Sequence, residues 1–185
     1  MPNDVLDTHV GPGKLYVAPY ATALPTDPST ALNVAFVSMG RTLEGHTFGI
    51  EPNWESFRAA EDFYPLWRIK TEEEASVELD CLEVTGASLK LWYNGGTIGA
   101  GGSGATTFES YIPPAATATP SEVSIIWEGT GVTGYFQRIV WPRLIQTGDL
   151  SMAATKEDFK VVHYSFSLLQ PTSGSPFYVY TLKPA

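Results

Sequence analysis

SEVSIIWEGTGVTGYFQRIVWPR, residues 121–143, decides the fold. Val123, Ile125 and Trp127 alternate with Glu122, Ser124 and Glu128. Successive side chains of an extended strand point to opposite faces, so this alternation predicts a half-buried strand. TGVTG at 130–134 supplies turn residues, and YFQRIVWPR at 135–143 returns as a second run of aromatic and β-branched residues. Two such runs around a short turn predict an antiparallel hairpin.

The rest of the chain repeats this grammar. Short strands are expected in GKLYVAPY (13–20), LNVAFVSMG (32–40), the segment from a turn at Glu44-Gly45 to Ile50, KEDFKVVHYSFSLLQ (156–170) and PFYVYTLKP (176–184). ATALPTDPST separates the first two as a Pro/Thr-rich loop, and a turn is expected at Gly148-Asp149. With 17 Gly and 14 Pro, turns are frequent, and 17% charged residues is low for a helical monomer. The expected class is mainly β: a β-sandwich or partial barrel of eight to ten strands with one short flanking helix. At 185 residues the chain is one domain spanning 1–185, with a flexible N-terminus over about 1–10.

The segment KTEEEASVELD (70–80) carries the strongest charge pattern. As a strand, Thr71, Ala75, Val77, Leu79 and Cys81 form a mild apolar face, which also takes Glu73. Lys70, Glu72, Glu74, Ser76, Glu78 and Asp80 share the other. Same-face neighbours lie about 6.7 Å apart. Each adjacent acidic pair then repels by roughly 0.5–2.5 kcal/mol, depending on the local dielectric. Such a stripe is either a solvated face or a surface that must repel something negative. Cys81, the single cysteine, excludes an intrachain disulfide and reads as a buried thiol.

Before this strand, residues 51–68 hold Trp54, Phe57, Phe63, Tyr64 and Trp67 among Glu51, Glu55, Glu61 and Asp62. They follow neither helical nor strand periodicity, and Pro65 interrupts them. Two readings stand: a loop folded over its own core, or an arm packed on another subunit, since aromatics and Arg are enriched at interface cores. After the acidic strand, TGASLKLWYNGG (85–96) predicts the one helix. Thr85 is its N-cap, Leu89 and Trp92 its packing residues with Leu91 beside them, and Asn94-Gly95-Gly96 its left-handed stop.

No catalytic or metal motif emerges. Gly99, Gly101 and Gly104 match G-x-G-x-x-G, but a helix precedes them and a loop follows, the reverse of a dinucleotide site. TIGAGGSGATT (97–107) reads instead as a flexible linker. His9, His46 and His163 have no ligand spacing between them. Glu72 and Glu74 could suggest a glycosidase pair, but a general acid needs burial and this stripe reads as wet. No enzyme activity and no cofactor are expected. A net charge of −9 argues against nonspecific nucleic-acid binding. The opening MPNDVLDTHV lacks a signal-peptide pattern, and no stretch nears the ~20 apolar residues of a membrane helix, so no membrane partner is expected.

Taken in order, GPGKLYVAP, NVAFVSMGRTLEGHTFGIEPNWESF, the acidic strand running into LEVTGASLKLWYNGGT, and RIVWPRLIQTGDLSMAATKEDFKVVHYSFSLL resemble the major tail (tail tube) proteins of long-tailed bacteriophages, particularly siphophages of actinobacteria. The resemblance runs from about residue 11 to 182. It implies a β-sandwich with one flanking helix, six subunits per ring, and rings stacked around a tape-measure protein. It also implies end contacts with tail terminator and distal tail proteins, and a bore that passes DNA without specific binding. The location implied is the virion tail, after synthesis in the host cytoplasm. Family members often add a C-terminal immunoglobulin-like domain; none is expected here. With that family in view, Glu72, Glu74, Glu78 and Asp80 are candidates for an acidic lumen wall. Trp54, Phe57, Phe63, Tyr64 and Trp67 are candidates for a contact between subunits or rings. The alternative is a carbohydrate-binding β-sandwich module that uses exposed Trp and Tyr.

Overall fold

The computed structural model of the protein describes residues 13–59, 61, 63–81, 85–103, 106–130, 135–148, 152–153 and 161–182. Along the chain these form β1 (Gly13–Pro19), β2 (Val37–Phe57), β3 (Trp67–Cys81), α1 (Gly86–Trp92), β4 (Thr97–Ser103), β5 (Thr106–Ile112), β6 (Val123–Thr130), β7 (Phe136–Gln146), β8 (Met152–Ala153), β9 (Val161–Leu168) and β10 (Tyr178–Leu182). The class is mainly β, with ten strands in two sheets and one short helix among the described residues. The expected flexible N-terminus over 1–10 lies outside them.

The β6–β7 hairpin forms as its alternation predicts, with Trp127 opposite Ile139 and Ile126 opposite Val140. Antiparallel pairing then runs β6–β1–β2–β3–β9, and β9 pairs back onto the far end of β7. Six strands thus close a hydrogen-bonded circuit, a small barrel. Pro142 is the corner. Between Ile125↔Trp141 and Val123↔Leu144 the register slips, leaving Pro142 and Arg143 opposite Ser124 alone. This bulge bends β7. Before it, β7 pairs with β10; after it, Leu144–Gln146 pair with β9. Ser124 Oγ donates to Pro142 O at 2.6 Å across the bend.

The barrel interior is filled by Leu15, Val77, Leu79, Ile125, Trp127, Trp141, Tyr164 and Phe166, all essentially inaccessible. Cys81 lies among them, as expected. β6 is buried on both faces, because Ala18, Phe36, Ile126 and Val140 make a second core beneath the loop over 20–36. Arg138 ties that loop down. Its Nε and Nη2 hold Glu128 Oε1 at 2.8 and 2.6 Å. Its Nη1 donates to the carbonyls of Asp27 and Thr30 at 2.7 and 2.8 Å.

The helix is the one expected. Thr85 Oγ1 accepts from Ser88 N while Ser88 Oγ accepts from Thr85 N, a reciprocal cap. Leu91 and Trp92 are buried and Leu89 packs partly buried against the core. Asn94 (φ 52°) and Gly95 (φ 147°) reverse the chain. Asn94 Nδ2 then donates to Gln146 O and its Oδ1 accepts from Gln146 N, joining the helix stop to the end of β7.

Three expectations change. β2 runs from Val37 to Phe57, and where a turn is expected at Glu44-Gly45 the strand instead shifts register, Thr42 lying opposite Cys81 and His46 opposite Leu79, between the part paired with β1 (Val37–Arg41) and the part paired with β3. The strand expected at 32–40 begins only at Val37; 32–36 instead cover the second core. The supposed linker at 97–107 is mostly strand. β4 pairs with β5, Gly99 opposite Ser110 and Gly101 opposite Phe108. A Cβ on Gly101 would lie 2.4 Å from the Phe108 ring, so glycine here lets the ring lie across the neighbouring strand.

Candidate functional site

Two surfaces come from one element pair, the β2–β3 hairpin. β3 alternates as expected near the barrel: Val77, Leu79 and Cys81 are buried, while Glu72, Glu74, Ser76 and Glu78 are exposed and Asp80 is half-buried. Residues directly opposite in paired strands share a face. Glu78 faces Thr47 on β2 and Ser165 on β9; Ser76 faces Gly49 and Ser167; Asp80 faces His163. The acidic stripe is thus the middle of a three-strand polar face flanked by Thr47 and Gly49 on one side and His163, Ser165 and Ser167 on the other. His163 Nδ1 lies 2.7 Å from Asp80 Oδ1, with His163 exposed and Asp80 half-buried. Further out, Glu74 faces Glu51 directly and Glu72 faces Asn53.

Lys70 departs from the even-face reading. The register passes from Asn53↔Glu72 to Trp54↔Lys70, leaving Thr71 as an extra residue. Thr71 Oγ1 donates to Asn53 O at this bulge. One extra residue inverts the alternation beyond it. Lys70 therefore turns to the face of Glu73 and pairs with it at 2.5 Å. The stripe loses the one cation that strict alternation assigned to it. On β2 alternation continues, so Glu51 and Glu55 join the acidic side. Sequence reading counted Glu51 and Glu55 only as acidic punctuation of the arm; nothing short of the β2–β3 register places them beside Glu74.

The last β9 partner of β3 is Ser167, opposite Ser76. Beyond it, Ile50–Phe57 pair only with Trp67–Ala75 among the described residues. From Ala75 to Trp67 this two-stranded arm reaches about 27 Å. The described part of the aromatic segment is thus the outer part of a hairpin, whose large side chains are exposed instead of folded over the core. Phe63 and Tyr64 are 93% and 84% exposed, and Trp54, Phe57, Leu66 and Trp67 are exposed as well. The bulge puts Phe57 and Trp67 opposite one another on the acidic side, ring centroids 6.1 Å apart, with Trp54 on the other. Leu66 N donates to Phe57 O and closes the strands. An isolated two-stranded hairpin is marginal in water, and this one has an exposed apolar tip and, among the described residues, no strand paired to either edge.

Among the described residues no group of three or more His, Cys, Asp or Glu is arranged to hold a metal. The depression beside the stripe, lined by Glu51, Glu73, Glu74 and Ser76, is open to solvent. The family model described as phage tail tube protein matches residues 3–182. No curated protein matches the chain.

Proposed function

The chain belongs to the phage tail tube protein family, and from that premise we propose that it forms hexameric rings stacked around a tape-measure protein, whose bore later conducts DNA. The family is a structural one, and its members are tail components of the virion. In this reading the polar face of β2, β3 and β9 lines the bore, and the β2–β3 arm bridges rings. Tail terminator and distal tail proteins would meet the two ends of the stack, in a siphophage made in its host's cytoplasm.

The observation that supports the conduit is the uncompensated acidity of that face. Glu72, Glu74 and Glu78 are exposed in line, Glu51 faces Glu74, and Lys70 is turned away. Sixfold repetition would coat each ring with like charge. Duplex DNA carries one phosphate per about 1.7 Å of axis, so such a wall repels its cargo instead of binding it. Negative-stain microscopy across a concentration series tests the assembly: rings or hollow tubes are expected, and monomers with retention on polysaccharide resin would favour a carbohydrate-binding module. Charge reversal of Glu72, Glu74 and Glu78 to Lys tests the conduit. Slowed or arrested DNA ejection is expected; unchanged ejection from intact tails places the stripe elsewhere.

A further inference from the structure

We propose that Asn94-Gly95 is a modification site gated by folding: Asn94 deamidates in the open chain, is locked against it in the folded subunit, and once converted no longer lets the chain close properly. This holds for the fold alone, whatever the chain assembles into.

The chain has four asparagines, and only Asn94 precedes a glycine; Asn3, Asn33 and Asn53 precede Asp, Val and Trp. Deamidation begins when the backbone nitrogen of the following residue attacks the asparagine Cγ. Glycine brings that nitrogen in with no Cβ in the way and with wide backbone freedom. The bond from Gly95 N to Cγ forms, the Cγ–Nδ2 bond breaks, and Nδ2 leaves as ammonia with the proton from Gly95 N. Water then opens the cyclic imide at either carbonyl. The product is aspartate at 94 or its isoaspartyl isomer, whose backbone runs through the side-chain carbon.

In the folded chain both reacting groups are tied. Gly95 is buried, and its N–H donates to Lys90 O at 2.9 Å. The Asn94 carboxamide is gripped at both ends by the last residue of β7: Nδ2 donates to Gln146 O at 2.7 Å and Oδ1 accepts from Gln146 N at 3.1 Å. The Tyr111 hydroxyl also holds Gly95 O at 2.8 Å. Attack requires the bond at Gly95 N and the two at the carboxamide to open together. Each such bond is worth about a fivefold factor in equilibrium, so the three together leave roughly one molecule in a hundred or fewer open to reaction.

Three segments meet at this residue. Asn94 N donates to Leu91 O at the end of α1, Asn94 O accepts from Ser121 N just before β6 at 2.8 Å, and the side chain holds the end of β7. A carboxamide fits Gln146 because it donates to a carbonyl and accepts from an amide at once. An aspartate has no donor and sets a carboxylate oxygen against Gln146 O. The isoaspartyl form adds a backbone atom where φ of 52° at Asn94 and 147° at Gly95 set the reversal. Either product leaves backbone polar groups of β7 stranded. A chain that folds early therefore keeps Asn94. One that lingers open loses it, and with it the joint between α1 and the barrel.

The test incubates the parent chain folded and in guanidinium at the same mildly alkaline pH. Peptide mass mapping follows Asn94, and enzymatic methylation detects isoaspartate. Conversion should be about a hundredfold slower in the folded chain, with Asn33 and Asn53 lagging far behind Asn94 in the open one. The refolding yield of the open chain should fall in step with conversion. Asn94→Gly keeps the left-handed turn and cannot react; it is weaker from the start, but its refolding yield should not decline over the same incubation. Thr85→Ala loosens α1 and should speed conversion in native buffer by about fivefold. Equal rates in folded and open chains, or an unchanged rate in Thr85→Ala, overturn the lock at the helix stop. No conversion in the open chain overturns the site itself. A parent refolding yield that stays constant while Asn94 converts, or an Asn94→Gly yield that declines as fast as the parent's, shows that conversion does not block closure and overturns the proposal.

Discussion

Replacing Arg138 by Met is the sharpest test of how the subunit is held together. The Arg138 and Glu128 side chains are 6% and 15% exposed. The guanidinium makes a two-nitrogen contact to one carboxylate oxygen and closes two loop carbonyls, Asp27 and Thr30, at 2.7–2.8 Å. Met restores much of the stem's packing but leaves Glu128 charged and nearly dry. Breaking a buried pair from one side costs about 3–5 kcal/mol. At roughly 2–4 °C per kcal/mol for a chain of this size, Tm should fall by about 6–20 °C. Removing both charges, Arg138→Met with Glu128→Met, should recover most of the loss, because no charge is then stranded. Urea titrations of the two single variants, the double variant and the parent close a double-mutant cycle, and a coupling of at least about 2 kcal/mol is expected. Limited proteolysis gives a local readout: cleavage within 21–35 should accelerate in Arg138→Met first. A double variant no more stable than the worse single, or a single variant within 1 kcal/mol of the parent (about a fivefold change in equilibrium), would refute the clamp.

Other outcomes follow from particular contacts. Burial, with Cys81 adding to it, pushes the Tyr164 phenol well above its ordinary range against a smaller opposing pull from its bond to Ser88. The folded chain therefore keeps that proton longer than the unfolded one, so stability should be flat to about pH 10 and fall beyond it; Tyr164→Phe should flatten the fall in alkaline Tm scans. Glu74→Gln relieves its direct opposition to Glu51. It should stabilise the monomer by about 0.2–1 kcal/mol at low salt, and the gain should shrink in concentrated salt. Thr85→Ala removes half of the reciprocal cap on α1 and should cost about 1 kcal/mol in chemical denaturation.

Period-two patterning carried most of the fold. It made the β6–β7 hairpin, the buried side of β3 and the placement of Cys81 legible, because each is settled by which way one strand's side chains point. The cap and stop of α1 were equally local. What failed was whatever depended on a second strand. GAGG looks flexible by composition, and it becomes β4 because Phe108 of β5 lies over Gly101. The arm defied a period because a bulge splits it into two phases. The neighbours of the stripe, Glu51 on one side and Ser165 and Ser167 on the other, come from register, which long-range pairing sets. Fold class was therefore readable from the chain, while the composition of the surfaces was not.

The bulge at Thr71 also bears on how this arm can change length. Adding one residue to each strand beyond it would carry the tip outward by about 3.3 Å and rotate every side chain to the opposite face. Phe57 and Trp67 would then leave the acidic side and Trp54 would join it. Adding two to each strand restores the facing and extends the reach by about 6.7 Å. If the facing of the tip matters, viable arm lengths come in steps of two residues per strand rather than continuously. A single unmatched residue is the other way out: like Thr71, it exchanges the faces without lengthening the partner strand. Insertion libraries across 54–56 and 68–70 would show this as an alternation of tolerated and rejected lengths.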